Sequence, residues 1–248
     1  MLRSRPRSVY AAMVGMDAEA ATAQDTAPLL RGDLGLVKET FEAWPVIDRT
    51  SGGPFALRVT VRRATADDGA AAAELIATAF AGLRCSTYLV PDRRSRHRIL
   101  AADYRIFVEH ALEHGEVHLA DDGQAVAVWF ERTAELPAPA DYDRRLSEAT
   151  GEWADRFRTL DQLSEQNRPQ PPYHHLVFLA VHPDRQNQGL GTALLRYQHA
   201  RLAGAPAYVE ASDPRNRDLY ARHGYQPRQP FALPDGALYW PMWRPGDA

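Results

Sequence analysis

The stretch that decides the fold is YHHLVFLAVHPDRQNQGLGTALLRYQHARLAG, residues 173–204. Its first nine residues form the most apolar strand candidate in the chain, and its last part reads as a helix ending near Ala203. The loop between them enters the helix near Gly189, with Gly191 just beyond. The first turn of a helix carries unpaired N–H groups and a partial positive charge. Gly189 and Gly191 have no Cβ, so an anion can come close to the backbone there. Strand, glycine turn and helix N-terminus together make a phosphate cradle. It is not a P-loop, because the only lysine in the chain is Lys38. It is not the dinucleotide fingerprint either. Leu194 stands where G-x-G-x-x-G needs its third glycine, and the segment lies late in the chain. What is present is Q-x-x-G-x-G: Gln186, Gly189 and Gly191.

Working outward, FALRVTVRR (55–63) alternates apolar and polar residues and reads as a strand. Thr65 offers an N-cap to the helical run that follows. In residues 95–115, Ile99, Leu100, Ile106, Phe107 and Leu112 gather around one helical face, and Gly115 supplies the stop. EVHLA and QAVAVWFE pair across Asp121-Asp122-Gly123 as a hairpin, which Pro137 and Pro139 end. Residues 141–166 read as one or two polar amphipathic helices. After the glycine segment come a strand in AYVEAS, a short helix in NRDLYARHG, and two strands paired across Pro234-Asp235-Gly236. Two hairpin reversals exclude an all-parallel sheet, so the fold class is α/β with a mixed central sheet.

Bulk composition excludes more than it assigns. The chain has 248 residues, 45% hydrophobic and 25% charged, a size and make-up that suit a globular protein. A net charge of −3 gives no whole-chain case for nucleic acid. Abundant arginine and alanine with one lysine points to a GC-rich, bacterial genome. Cys85 is the only cysteine, so neither an intrachain disulfide nor a cysteine-rich zinc site is expected, and a cytoplasmic location suits it. No run approaches the ~18–20 apolar residues of a membrane span. At the N-terminus, three arginines precede a short apolar patch interrupted by Gly15 and followed by Asp17 and Glu19, which is a poor signal peptide. Residues 1–55 are read as an N-terminal extension, disordered or with a mis-called start, Met13 and Met16 being the alternative starts, and with a possible helix at 36–44. The domain is assigned to residues 56–248.

The Q-x-x-G-x-G spacing, after a strand ending in Val181-His182-Pro183, resembles the acetyl-CoA motif of the GCN5-related N-acetyltransferases (GNAT). Residues 56–244 follow that family's element order, and SDPRNRDLYARHGY (212–225) resembles its second signature. VRRATADD, LADDGQAVAVW and VHPDRQNQGLG resemble most its puromycin N-acetyltransferase-like branch. The resemblance implies a mostly antiparallel sheet flanked by helices, with one strand splayed open. That strand, ending Leu179-Ala180-Val181, would lend backbone groups to acetyl-CoA and an N–H to the thioester carbonyl. Gln186, Asn187, Gln188, Gly189, Leu190, Gly191 and Thr192 would cradle the phosphates, and Asn216 would bond the pantetheine arm or cap its helix. Asn187 stands where the family usually has glycine, and Gln188 where it usually has Lys or Arg. Asn tolerates left-handed backbone, and Arg185 is the candidate replacement cation.

Tyr220 matches the family's general acid, which protonates the departing thiolate. Glu210 is the candidate base, with His174 and His175 as rivals. The two histidines make a poor metal pair, since adjacent strand residues face opposite ways, and no metal is expected. Trp129, Phe130 and Trp240 are assigned to the core rather than an acceptor pocket. The arginines at 93, 94, 96 and 98 are assigned to a solvated helix face. The implied activity is direct acetyl transfer to a primary amine of a small molecule, antibiotic-like by the branch resemblance, in a monomer or homodimer without nucleic-acid or membrane partners. A protein N-terminal or lysine acetyltransferase, and a non-catalytic acyl-CoA sensor, are the alternatives.

Overall fold

A computed structural model describes the backbone of residues 44–46, and residues 59–133 and 136–247 in full. Most of the segment assigned to an N-terminal extension, residues 36–43 of the helix expected at 36–44 and the alternative starts lie outside the described residues, and Trp44, the last residue of that expected helix, is in a strand. Within that segment, β1 (Trp44–Val46) pairs antiparallel with β2 (Val59–Arg63).

The first helical layer follows β2. The Thr65 N–H donates to Asp68 Oδ2 at 2.8 Å, closing a tight turn that leads into α1 (Gly69–Phe80). A short helix absent from the sequence reading, α2 (Arg84–Leu89), comes next. Asp92 then caps α3 (Arg93–His114), accepting from the N–H groups of Arg94 and Ser95. The arginine run divides here. Arg93, Arg94 and Arg98 are exposed, whereas Arg96 turns back and donates to the carbonyls of Val90, Ala81 and Pro91, tying α2 to α3.

The expected hairpin is β3 (Glu116–Ala120) and β4 (Ala125–Arg132). The polar stretch forms two helices, α4 (Tyr142–Thr150) and α5 (Ala154–Asn167). Then come β5 (Tyr173–Val181), α6 (Leu190–Arg201), β6 (Ala207–Ala211) and α7 (Pro214–Arg222). β7 (Gln226–Pro227) and β8 (Phe231–Ala232) both pair with the long β9 (Leu238–Arg244). The strand order is β1-β2-β3-β4-β5-β6-β9-β7, with β8 beside β9. All pairs are antiparallel except β5 with β6. The sheet is therefore mixed, mostly antiparallel and flanked by helices.

β4 shows how both faces are used. Val126, Val128 and Phe130 join the core under α1 and α3, while Ala125, Ala127 and Trp129 join the core under α6. Strict alternation with apolar residues on both sides marks a strand covered by helices on both faces. Trp129 and Phe130 are 1% exposed, and Trp240 packs against the second core, so all three belong to packing as expected. A satellite cluster of Cys85, Phe231, Leu233, Ala237 and Tyr239 binds α2 to the last hairpin.

The α3–β3 junction leaves no room for a side chain. A Cβ at Gly115 would lie 2.3 Å from the backbone oxygen of Trp129 and 3.0 Å from Phe130 Cδ1. Gly115→Ala should cost about 2 kcal/mol or more, because backbone must shift. Gly82→Ala, where nothing lies within 4 Å, should stay within ~0.5 kcal/mol. Urea denaturation of the two variants beside the wild type checks the contrast.

Candidate active site

The site begins where two strands part. β5 pairs with β4 from Tyr173↔Arg132 to Val181↔Ala125, but with β6 only from His174↔Ala207 to Leu176↔Val209. The register with β4 slips between Phe178↔Val128 and Leu176↔Trp129, leaving Val177 as a bulged extra residue. A bulge bends and twists its strand, which carries residues 177–181 away from β6. Backbone on that side of β5 has no strand partner and is free to meet a ligand.

On one side of the gap lies a cleft of about 690 Å³. Leu179, Ala180, Val181, Gln186, Asn187, Gly189, Leu190, Gly191, Thr192 and Asn216 all line it. Of the residues assigned to acetyl-CoA, Gln188 alone lies outside this lining. Its amide accepts from Arg185 Nε at 3.0 Å and donates to the Asp184 carbonyl at 3.2 Å. Arg185 also pairs with Asp121 and lines the cleft. Gln188 thus steadies the cation that its own position lacks. Arg215 and Arg222 add two more cleft cations that sequence reading missed. Their i, i+7 spacing on the short α7 was the available signal, since it places both on one face.

The loop backbone fits an anion cradle. Asn187 takes φ 62°, the left-handed conformation that an asparagine accepts best among side chains bearing a Cβ. Gly189 takes φ 85° as N-cap of α6. A Cβ at Gly191 would meet Leu219, Leu179 and Val181 at 3.6–3.8 Å, ordinary contact distances. Packing alone therefore does not demand glycine there; what the missing Cβ keeps open is the cleft. The Gln186 side chain donates to the Val181 carbonyl at 3.3 Å and so ties the loop to the strand end. On α7 the cap is Asp213, which accepts from the Arg215 N–H at 2.8 Å, so Asn216 does not fill that role.

On the other side of the gap lies a second, more enclosed cavity of about 130 Å³. The two spaces share Phe80, Leu179 and Asn216. Tyr220 packs in the α6-side core yet also lines this second cavity, reaching it where β5 and β6 have parted. Burial raises its phenol pKa, so the hydroxyl keeps its proton at neutral pH. Asn216, four residues earlier, shares its helical face.

Glu210 lines the same cavity. It accepts from Ser164 Oγ at 2.9 Å and Tyr208 Oη at 3.0 Å. Burial raises its pKa, against the pull of Arg168, the two hydrogen bonds and Arg132. His174 points to the opposite face of the sheet, into a surface groove beside Arg63 and Gln198. His175 faces the cavity, where burial and the Arg132 guanidinium, donating to Nδ1 at 3.3 Å, hold it neutral. The Cys85 thiol also lines the cavity, and burial pushes its pKa up, away from nucleophile chemistry.

The sequence reading did not name Asp103, Asp161 and Arg132, which line the cavity. Asp103 had a signal, as a carboxylate at helical spacing inside the stripe Ile99, Leu100, Ile106, Phe107. Asp161 had none, being one acid in a polar helix. Burial raises its pKa to about 7, although Tyr142 donates to it at 2.6 Å. Among the described residues, no group of three or more His, Cys, Asp or Glu is placed to hold a metal ion, and no helix is long and apolar enough to cross a membrane.

Comparison with known proteins agrees with this geometry. Residues 157–227 match the family model described as an acetyltransferase (GNAT) domain. A Corynebacterium glutamicum structure described as histone acetyltransferase HPA2 and related acetyltransferase aligns with a TM-score of 0.54 at 27% identity. That alignment covers 77% of this chain and 97% of the other. A mosquito arylalkylamine N-acetyltransferase like 5b aligns with a TM-score of 0.50 at 18% identity, over 75% and 98%; at that identity it speaks for the fold. Domain and fold together make the chain an acetyl-CoA-dependent N-acetyltransferase. The puromycin-like branch finds no further support in these likenesses.

The cradle is open to a direct check at Asn187. Asn187→Gly should leave acetyl-CoA affinity within about threefold, because glycine adopts φ 62° without strain. Asn187→Val, β-branched at a left-handed position, should weaken it by about tenfold or more. Isothermal calorimetry reads both.

Proposed function

We propose that this acetyl-CoA-dependent N-acetyltransferase moves the acetyl group to a primary amine of a small molecule, by direct attack in a ternary complex. The observation that carries the reading is the enclosed cavity of about 130 Å³ behind the splayed strand, joined to the larger cleft at Phe80, Leu179 and Asn216. An enclosed acceptor space favours a small amine over a folded protein, which needs a broad groove.

The proposed roles follow from the geometry. Acetyl-CoA lies in the cleft, its pantetheine arm along residues 179–181 and Asn216. Its phosphates lie over residues 186–192, with Arg185 as cation. Holding amine and thioester together supplies much of the catalysis, through proximity and orientation. A backbone N–H of the freed stretch of β5 polarises the thioester carbonyl. An alkylammonium with a pKa near 10 must lose a proton before it attacks. Glu210, its affinity for a proton raised by burial, accepts that proton directly or through water. Tyr220, kept protonated by burial, delivers a proton to the departing thiolate of CoA.

The finer reading, an antibiotic-like amine acetylated in detoxification or self-resistance, rests on the puromycin N-acetyltransferase-like segments alone. A cytoplasmic monomer or homodimer fits it. One observation favours a second reading: the description of the C. glutamicum structure names a histone acetyltransferase. Competition between a small amine and a lysine peptide separates the two, since the enclosed cavity predicts preference for the small amine.

Tyr220→Phe should lower kcat by about 10²-fold or more while acetyl-CoA affinity holds. Unchanged turnover would remove Tyr220 from the acid role, and a sensor would transfer acetyl to no amine at all. Glu210→Gln should act on the other proton. In the wild type, rate falls as pH drops through the raised pKa of Glu210, because only the carboxylate accepts a proton. In Glu210→Gln that limb disappears, and the residual rate climbs with pH toward the amine's own pKa of ~10. A pH–rate profile of both proteins shows whether it does.

A further inference from the structure

The acceptor cavity holds more acidic groups than one proton transfer needs. Glu210 serves the reacting nitrogen in the reading above, and two further carboxylates line the same space: Asp103 from α3 and Asp161 from α5. Asp103 is 4% exposed, and its Oδ1 has no hydrogen-bond partner among the described residues. A buried carboxylate oxygen without a partner is costly, and such atoms mark strain, a catalytic role or a missing ligand. The cations of the cavity do not serve it. Arg168 and Arg132 act on Glu210, and Arg168 and Arg158 act on Asp161, whereas among the described residues the charged group that acts on Asp103 is Asp161. Two acids thus face one cavity and repel each other, one of them uncompensated.

Their placement relative to the base is set by α5. Asp161 precedes Ser164 by three residues on one face of the helix, and Ser164 donates to Glu210. Three residues are about 4.5 Å of helix rise. The second acidic position therefore lies roughly one helical turn from the serine that holds the base, and it lines the same cavity. The walls between are apolar and aromatic: Tyr104 and Phe107 on α3, with Phe178 on β5 against both at 4.9 and 5.9 Å.

We propose that Asp103 and Asp161 form a subsite for a second cationic group of the acceptor, so that the preferred substrate is a small molecule with two positive nitrogens joined by an apolar spacer. One nitrogen loses its proton to Glu210 and attacks the thioester. The other stays charged and donates to Asp103 Oδ1 and Asp161, and its positive charge lets both acids release their protons to solvent as it binds. This rests on the acetyl-transfer reading, and it deepens that reading to a class of acceptor.

The test compares n-butylamine with putrescine, the same chain bearing an ammonium at each end. Release of the CoA thiol is followed at saturating acetyl-CoA for wild type, Asp103→Asn and Asp161→Asn. The wild type should prefer putrescine in kcat/KM by about tenfold or more, the scale of one charge-assisted hydrogen bond. Either substitution should lower that ratio about tenfold, mainly through the KM for putrescine. Equal use of both amines by the wild type, or a preference that survives in both variants, overturns the proposal. Calorimetric titration of putrescine into the CoA-bound proteins separates the two layers. Binding that Asp103→Asn weakens, without transfer to any amine, would sink the transfer reading and keep the subsite. Transfer to n-butylamine with no tighter binding of putrescine would keep the transfer reading and sink the subsite. The two asparagine variants are near-isosteric, and either alone suffices should the other fail to fold.

Discussion

Everything in the site depends on two parallel strands that stop pairing. β5 keeps its bonds to β4 over its whole length and holds β6 only as far as Leu176↔Val209. A buried backbone group without a partner is expensive, so such a gap persists only where something else meets those groups. The bulge at Val177 makes the parting geometric rather than accidental, since it bends β5 at the residue after the last β5–β6 pair. Cleft, cavity and the passage between them follow from that one bend. So does the reach of Tyr220 from the α6-side core into the cavity on the other face.

The electrostatics divide along the same line. The cleft side carries Arg185, Arg215 and Arg222, with Asp213 and Asp218, beside a helix N-terminus whose partial charge suits phosphates. The more enclosed side carries acids whose proton affinities are raised, half-buried Glu210 and Asp161 and buried Asp103. Desolvation does this work, because a carboxylate stripped of water holds its proton more tightly. It is the same physics that keeps the Tyr220 phenol protonated and His175 neutral. One wall of strand thus separates a place for a polyanion from a place for a cation, and the thioester carbon would sit between them.

The sequence made the first half of this legible and the second half largely opaque, for a physical reason. The proposed phosphate cradle is local: strand, loop and helix N-terminus are consecutive, so Gln186, Gly189 and Gly191 could be read by spacing, and Asn187 by its tolerance of positive φ. The element order was legible from periodicity, because alternation in β4 and the apolar stripe of α3 are each written within one segment. The short α2 was missed, because one and a half turns carry too little periodicity to register. The acceptor cavity is assembled from α3, α5, β6 and α7, which no spacing rule connects. Glu210 and Tyr220 were reached through family resemblance. Asp103 stood in plain view as an acid in an apolar stripe, and only the fold shows that its stripe faces a cavity. Gln188 was read as a phosphate contact by position, and its side chain braces Arg185.

The central claim is that the opened strand and the α6 N-terminus together receive acetyl-CoA. Hydrogen–deuterium exchange of the intact protein, with and without acetyl-CoA, tests it most directly. The account predicts slowed exchange confined to the free stretch of β5, the loop and first turn of α6, and the start of α7. Binding with protection elsewhere, or no change at saturating acetyl-CoA, would contradict it.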